Sequence, residues 1–255
     1  MIKAIFFDID GTLIPIGGKR MPNDTINALK ALREKGIKIF LASGRGVREL
    51  DVITQDVKFD GYVTLNGQIC LDEHFELYFG NEIHQEDWKF LQEVFAKKEL
   101  PAVIIEEHRS YMNYIDEFAE KIHKEIGVEA GPVGVYEGAA VYQMILYADT
   151  PYAEKLFQKL PHCQWSRWHA NGIDIFSKDG GKMTGIKKTL EHFGIGQEEI
   201  MAFGDGDNDV EMLRFAHIGI AMENAEEGTK AAADFVTASP ADGGISKGLK
   251  HFGLI

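Results

Sequence analysis

Cysteine is nearly absent from this chain of 255 residues. The two present, Cys70 and Cys163, lie far apart and in no ligand-spaced pair, which argues against a disulfide framework or a zinc site and leaves two half-buried thiols. Long apolar runs are missing too. None approaches the ~20 residues of a membrane helix, and the first, Ile2 to Phe7, is too short for a signal peptide and meets Asp8 at once. A reducing, cytoplasmic setting is the expectation. Positive charge is scarce, with 27 Lys+Arg against 40 Asp+Glu and a formal charge of -13. Such a surface repels nucleic acid and anionic membrane, and both are excluded as expected partners. It also repels a phosphorylated ligand at long range. Any phosphate site must therefore build a local positive field from a metal, Lys, Arg and backbone N–H groups.

Apolar material is plentiful at 45% of residues, enough for one large or two modest domains. Ile2 to Phe7 reads as a strand buried on both faces. A helical pattern opens at Pro22 with Ile26, Leu29 and Leu32 on its apolar face, and Gly36 ends it. A second buried strand, Ile37 to Ala42, stops at Ser43-Gly44-Arg45. A helix over Val47 to Thr54 and a strand over Gly61 to Leu65 follow, closed by the turn signal Asn66-Gly67. From His84 to Phe176 the pattern changes to paired strands joined by short turns, with helices predicted on one side. After Gly180 the first pattern resumes, with strands at Ile200–Phe203, Ile218–Ala221 and Phe235-Val236 separated by helices. The expected fold is α/β: a Rossmann-like parallel-sheet core over residues 1–81 and 179–255, with an α+β cap inserted at 82–178. There is no internal repeat.

The polar signals collect at the C-terminal ends of predicted parallel strands, where open α/β sheets bind ligands. Strand one delivers Asp8-Ile9-Asp10-Gly11-Thr12, strand two Ser43-Gly44-Arg45, and the strand after the insert Gly204-Asp205-Gly206-Asp207-Asn208-Asp209, while Lys182 starts the first helix after the insert. Acids clustered this densely repel one another without a cation. Mg²⁺ takes one or two carboxylates and binds substrate phosphate. Asp8 and Asp205 suit the carboxylates and the Asp10 carbonyl a third ligand, with Asn208 and Asp209 completing or orienting the set. Asp8 suits a nucleophile that forms an acyl-phosphate. Asp10 suits the acid that protonates the leaving oxygen and then the base that activates water. Ser43, the N–H groups after it and Lys182 suit the phosphoryl oxygens.

On Phe7-Asp8-Ile9-Asp10-Gly11-Thr12-Leu13, Ser43-Gly44-Arg45, Gly181-Lys182 and Gly204 to Asp209, the sequence resembles the haloacid dehalogenase superfamily, in the branch of Cof-type phosphatases with a large α+β cap. Asn66-Gly67 matches a turn usual in that branch, and Gln68 departs from the Ala often found there. The resemblance spans the whole chain. It implies a Mg²⁺-dependent phosphatase acting on a small phosphorylated metabolite, a sugar phosphate or a phosphorylated cofactor, through an aspartyl-phosphate. Asp8 and Asp10 are then catalytic. Thr12, Ser43, Gly44 and Lys182 bind phosphate, and Asp8, Asp10, Asp205, Asn208 and Asp209 hold or support the metal. Two other readings compete: a phosphotransferase or mutase on the same scaffold, and a phospho-ligand sensor without turnover. Within the insert, Arg167, His169 and Asp174 on a probable hairpin are candidate substrate contacts, as is Arg45 in the core. His84, His108 and His123 have no ligand spacing and read as surface residues. Glu223 to Glu227 reads as a solvated helix start.

Overall fold

Ala-Ile-Phe-Phe at residues 4–7 offers no polar face, and a strand of that kind is stable only with both sides covered. The computed structural model describes residues 1–126 and 129–255. In it, β1 (Ala4–Phe7) is fully buried. The chain continues through α1 (Asn23–Glu34), β2 (Lys38–Ala42), α2 (Asp51–Thr54), β3 (Gly61–Thr64), β4 (Ile69–Asp72) and β5 (Leu77–Gly80). It then passes through α3 (Gln85–Lys97), β6 (Ala102–Glu106), β7 (Ser110–Met112), α4 (Glu117–Ile126), β8 (Val141–Leu146), α5 (Thr150–Phe157), β9 (Cys163–His169) and β10 (Gly172–Ser177). The last part comprises α6 (Lys182–Phe193), β11 (Ile200–Gly204), α7 (Val210–Phe215), β12 (Ile218–Ala221), α8 (Glu227–Lys230), β13 (Phe235–Val236) and α9 (Gly244–His251). Two compact units result: Met1–Phe79 with Gly181–Ile255, and Gly80–Gly180. No helix among the described residues is long and apolar enough to cross a membrane.

Among the described residues the larger sheet runs β13-β12-β11-β1-β2-β3-β4-β5. Pairs from β13 to β3 are parallel, and β3 meets β4 antiparallel. β1 lies between β2 and β11, with Phe6 stacked on Phe40 at 5.0 Å and Phe7 on Phe203 at 5.2 Å. Each such ring contributes about 1.5–3 kcal/mol by burial. The order places the ends of β1, β2 and β11 side by side, so the three polar motifs that follow them converge. β4 and β5 were not anticipated from the sequence. β4 follows the turn at Asn66-Gly67 directly, and β5 is a half-exposed edge strand without a clear alternation. The single helix expected over Val47 to Thr54 is a 3₁₀ turn, Val47–Glu49, and then α2; the break falls where Leu50 turns fully into the core.

The inserted unit has an antiparallel sheet ordered β7-β6-β8-β10-β9. Leu91 and Phe95 of α3 and Ala153 and Leu156 of α5 pack with Ala102, Ile104, Met144, Leu146, Ile173 and Ile175. Helices were expected on one side only, and α4 departs from that. Its Ala119 and Ile122 pack with Val103, Ile145 and Met112. Val103 pairs with Ile145 and Ile104 with Met144, so the two groups have opposite parity and point to opposite faces. His123, expected at the surface, is buried on α4, with Nε2 2.5 Å from the Tyr147 hydroxyl.

The start of α6 is fixed by a close approach. A Cβ added to Gly185 would lie 2.5 Å from Val63 Cγ1, 2.9 Å from Gly67 Cα and 3.1 Å from Cys70 Sγ. Helix propensity alone favours Gly185→Ala by about 1 kcal/mol. Packing against β3 and the turn after it opposes the change, and overpacking costs about 1–3 kcal/mol. Gly185→Ala is therefore expected to lower unfolding stability in urea without changing the m-value. A rise in stability would show that α6 is not held this tightly.

Candidate active site

Lys182 opens α6, and its side chain is only 3% exposed. A buried ammonium needs partners, and it has two. Nζ lies 2.5 Å from Asp8 Oδ1 at the end of β1 and 2.6 Å from Asp209 Oδ1 after β11. Asp209 Oδ2 accepts the backbone N–H groups of Asp205 and Gly206, each at 3.0 Å. Both Asp209 oxygens are thus engaged in holding the lysine and the loop after β11.

The side chain of Asp205 is oriented by two neighbours. The Thr12 hydroxyl donates to Oδ1 at 2.8 Å, and Asn224 Nδ2 donates to Oδ2 at 3.1 Å and to the Gly11 carbonyl at 2.9 Å. Gly11 has φ +87°, and a Cβ there would sit 2.0 Å from Asp205 Oδ2. Only glycine lets the loop after β1 turn this close to the acid. Thr12, expected among the phosphate binders, is fully buried with its hydroxyl spent on Asp205; it orients that carboxylate instead. Asn224 was missed. It lies inside the acidic stretch read as a solvated helix start, and its one signal is its place just past a buried strand.

Asp10 and Arg45 form a two-pronged ion pair. Arg45 Nε donates to Oδ2 at 2.8 Å and Nη2 to Oδ1 at 2.6 Å. The Asp10 side chain is 60% exposed, so unlike Asp8 it meets solvent. Ser43 is buried, and its Oγ accepts the Arg45 N–H at 3.2 Å, which leaves its hydroxyl hydrogen free to donate. Asn208 donates to Asn66 Oδ1 at 3.3 Å.

The three candidates in the inserted unit do not share one face of its sheet. Arg167 pairs in register with Ile173 and lies on the α3 and α5 side, over the Trp165 ring, with Nη1 donating to the carbonyls of His169 and Ala170. Asp174 pairs with Ser166 on the opposite face. His169 Nε2 is 3.2 Å from Glu125 of α4. A separate exposed group brings His84, Glu86 and His162 together, but His84 Nδ1 already accepts the Glu86 N–H.

Charge in the site is unbalanced. Carboxylate oxygens of Asp8, Asp205 and Asp209 lie within 4.8 Å of one another, against one ammonium. Burial first, and then repulsion from Asp209, push the Asp8 carboxyl up to about 8, with Lys182 pulling the other way. Burial pushes Asp205 up to about 6, with Asp209 adding to it. Burial disfavours a charged Lys182, yet Asp209 and Asp8 outweigh it and raise its pKa. Buried, oriented carboxylates short of positive charge are the donor set of a hard divalent cation. Asp8 and Asp205 have oxygens to offer, and the residues therefore fit Mg²⁺.

A haloacid dehalogenase-like hydrolase family profile matches residues 5–249. The chain is 29% identical to YkrA of Bacillus subtilis, over 99% of this chain and 98% of that protein. It is 26% identical to the 5-amino-6-(5-phospho-D-ribitylamino)uracil phosphatase YitU of Bacillus subtilis, over 97% and 96%. Among solved structures, the HAD subclass IIB sugar phosphatase BT4131 is 39% identical over 99% of this chain and 100% of that one, with a TM-score of 0.84.

The raised Asp8 has a consequence for stability. Between its ordinary 3.8 and about 8, the ion-free folded protein keeps a proton that the unfolded chain has released. Stability therefore falls as pH rises through that window. With EDTA present, Asp8→Asn is expected to unfold at a higher temperature than the unaltered protein, the gap widening from pH 4 to about 8 and then levelling. Mg²⁺ should raise the melting temperature of the unaltered protein more than that of Asp8→Asn. Equal melting temperatures at pH 8 in EDTA would contradict the burial and repulsion assigned to Asp8.

Proposed function

The chain belongs to the haloacid dehalogenase-like hydrolases, and from that premise we propose that it hydrolyses a small phosphate monoester with Asp8 as covalent nucleophile. One observation carries the reading: Asp8 is buried at a strand end, held by Lys182, with a second, solvent-facing carboxylate two residues on. One acid is then fit to attack and the other to exchange protons.

An Asp8 oxygen attacks phosphorus, and the bond from phosphorus to the leaving oxygen breaks. Asp10 gives its proton to that oxygen as it takes the electron pair. Water then attacks the aspartyl-phosphate and passes a proton to Asp10. The acyl-oxygen–phosphorus bond breaks, which restores the Asp8 carboxylate and frees inorganic phosphate. Lys182 favours the ionised form of Asp8 against the burial that opposes it and faces the growing negative charge, and Ser43 and the Gly44 N–H donate to phosphoryl oxygens. Asp8, Asp205 and the Asp10 carbonyl would hold Mg²⁺, which supplies positive charge against the same oxygens. Asp209 anchors Lys182. Arg45 occupies both Asp10 oxygens, so donation to the leaving group requires that pair to open.

Two relatives support a substrate class. BT4131 is a sugar phosphatase and YitU acts on a phosphoribityl compound. Both names support a phosphate on a sugar or polyol chain, chosen by the inserted unit acting as a cap.

Asp8→Asn should reduce turnover of any accepted phosphate ester to background. Asp10→Asn should lower kcat by about 10²–10⁴-fold, the usual share of general acid–base catalysis, with a smaller change in KM. The assay is phosphate release from a panel of sugar, polyol and cofactor phosphates with Mg²⁺. No release from any of them would refute the phosphatase reading, and substantial activity in Asp8→Asn would refute the covalent step.

A further inference from the structure

The turn between β3 and β4 is built at an energetic cost. Leu65, Asn66 and Gly67 have φ of +50°, +53° and +85° in succession. The left-handed conformation costs an L-residue roughly 1–2 kcal/mol, with Asn tolerating it better than Leu. Such backbone persists where its surroundings hold it in place, and here they do. Leu65 N–H donates to the Arg45 carbonyl at 3.0 Å and Asn66 N–H to the Ser43 carbonyl at 2.9 Å. A Cβ on Gly67 would lie 2.1 Å from the Gly181 carbonyl oxygen and 3.1 Å from Lys182 N. The turn is therefore wedged between the loop after β2 and the start of α6.

The Asn66 side chain extends the same link to the loop after β11. Its Oδ1 accepts from Asn208 Nδ2 at 3.3 Å. Its carboxamide also lies on Gly44, where an added Cβ would be 3.2 Å from Nδ2 and 3.3 Å from Oδ1. Asn66 Nδ2 donates to no protein acceptor among the described residues. One carboxamide thus touches one segment assigned to the phosphoryl group, at Gly44, and one assigned to the metal, at Asn208, from a backbone that buttresses a second phosphoryl segment at Gly181-Lys182.

We propose that Asn66 is a phosphoryl-positioning residue. It fixes the Asn208 carboxamide and the Ser43-Gly44 loop relative to each other, and it keeps an Nδ2 hydrogen free for an oxyanion of the phosphoryl group. The proposal rests on the phosphatase reading above. The strained turn is the cost of carrying the amide at that point. The ligand chemistry is that of a tetrahedral or trigonal-bipyramidal oxyanion, so the recognition is independent of the rest of the substrate.

Two substitutions separate the side chain from the backbone. Asn66→Gly keeps the left-handed conformation and deletes the carboxamide. Asn66→Asp keeps shape and backbone tolerance but replaces the Nδ2 donor with an acceptor. The probe is orthovanadate in the presence of Mg²⁺, measured by calorimetry and by inhibition of phosphate release, alongside thermal unfolding. Asn66→Gly is expected to unfold within a few degrees of the unaltered protein and to bind vanadate at least tenfold more weakly. Asn66→Asp should bind more weakly still. In the double variant with Asn208→Ala, the two losses should combine to less than their product, because Asn66 acts partly through Asn208. Unchanged vanadate affinity in Asn66→Asp would overturn the proposal, and so would a simple product in the double variant. If Asn66→Gly fails to fold, Asn66→Asp alone decides between the two results. If the unaltered protein neither binds vanadate nor releases phosphate, the phosphatase reading fails instead.

Discussion

One buried ammonium holds this site together. Lys182 bridges Asp8, whose side chain is 9% exposed, and Asp209, which is 1% exposed. Removing Asp209, the stronger of its two partners, would strand the buried ammonium at a cost of about 3–5 kcal/mol. The contact ties the start of α6 to the ends of β1 and β11, and Asp209 passes the constraint on to the backbone at Asp205 and Gly206. The ammonium also leaves the site short of positive charge. Burial first, and then three acids around one lysine, raise Asp8 and Asp205, and that shortfall is what a divalent cation relieves. A chain with a formal charge of -13 thus makes its attraction for phosphate locally, within a few ångströms.

Two carboxylates two residues apart end in opposite environments. Asp8 follows a strand buried on both faces and takes on that burial. Asp10 follows the turn and reaches solvent, where Arg45 pairs with it. Gly11 makes the divergence possible, because the chain passes Asp205 with no room for a side chain. Thr12 and Asn224 then hold Asp205 from both oxygens. Burial of the nucleophile and exposure of the proton carrier are both consequences of how one strand ends.

The sequence was legible where a single physical pressure dominates. β1, β2 and β11 are short apolar runs because parallel strands covered on both faces admit nothing else, and each run stops where the polar motif begins. Lys182 was legible from its place at the return to the core. Elements answering to mixed pressures were not legible. β5 is a half-exposed edge, and α4 lies on a sheet face chosen by the parity of Val103 and Ile145. Arg167 and Asp174 were taken together, but adjacent registers point them to opposite faces. Thr12 looked like a ligand contact and proved to be a buried hydroxyl. Asn224 escaped notice, and Asn66 was read only as part of a turn, because each acts through one carboxamide whose placement no pattern of apolar residues reports.

The central claim is that Asp8 itself carries the phosphoryl group. It is tested most directly by quenching the enzyme with borohydride during turnover of a phosphate ester with Mg²⁺, then mapping the modified residue by mass spectrometry. An aspartyl-phosphate is reduced to homoserine, and the account predicts that conversion at position 8 alone, dependent on substrate and absent without it. Steady phosphate release with Asp8 intact, or with the modification at another carboxylate, would contradict it.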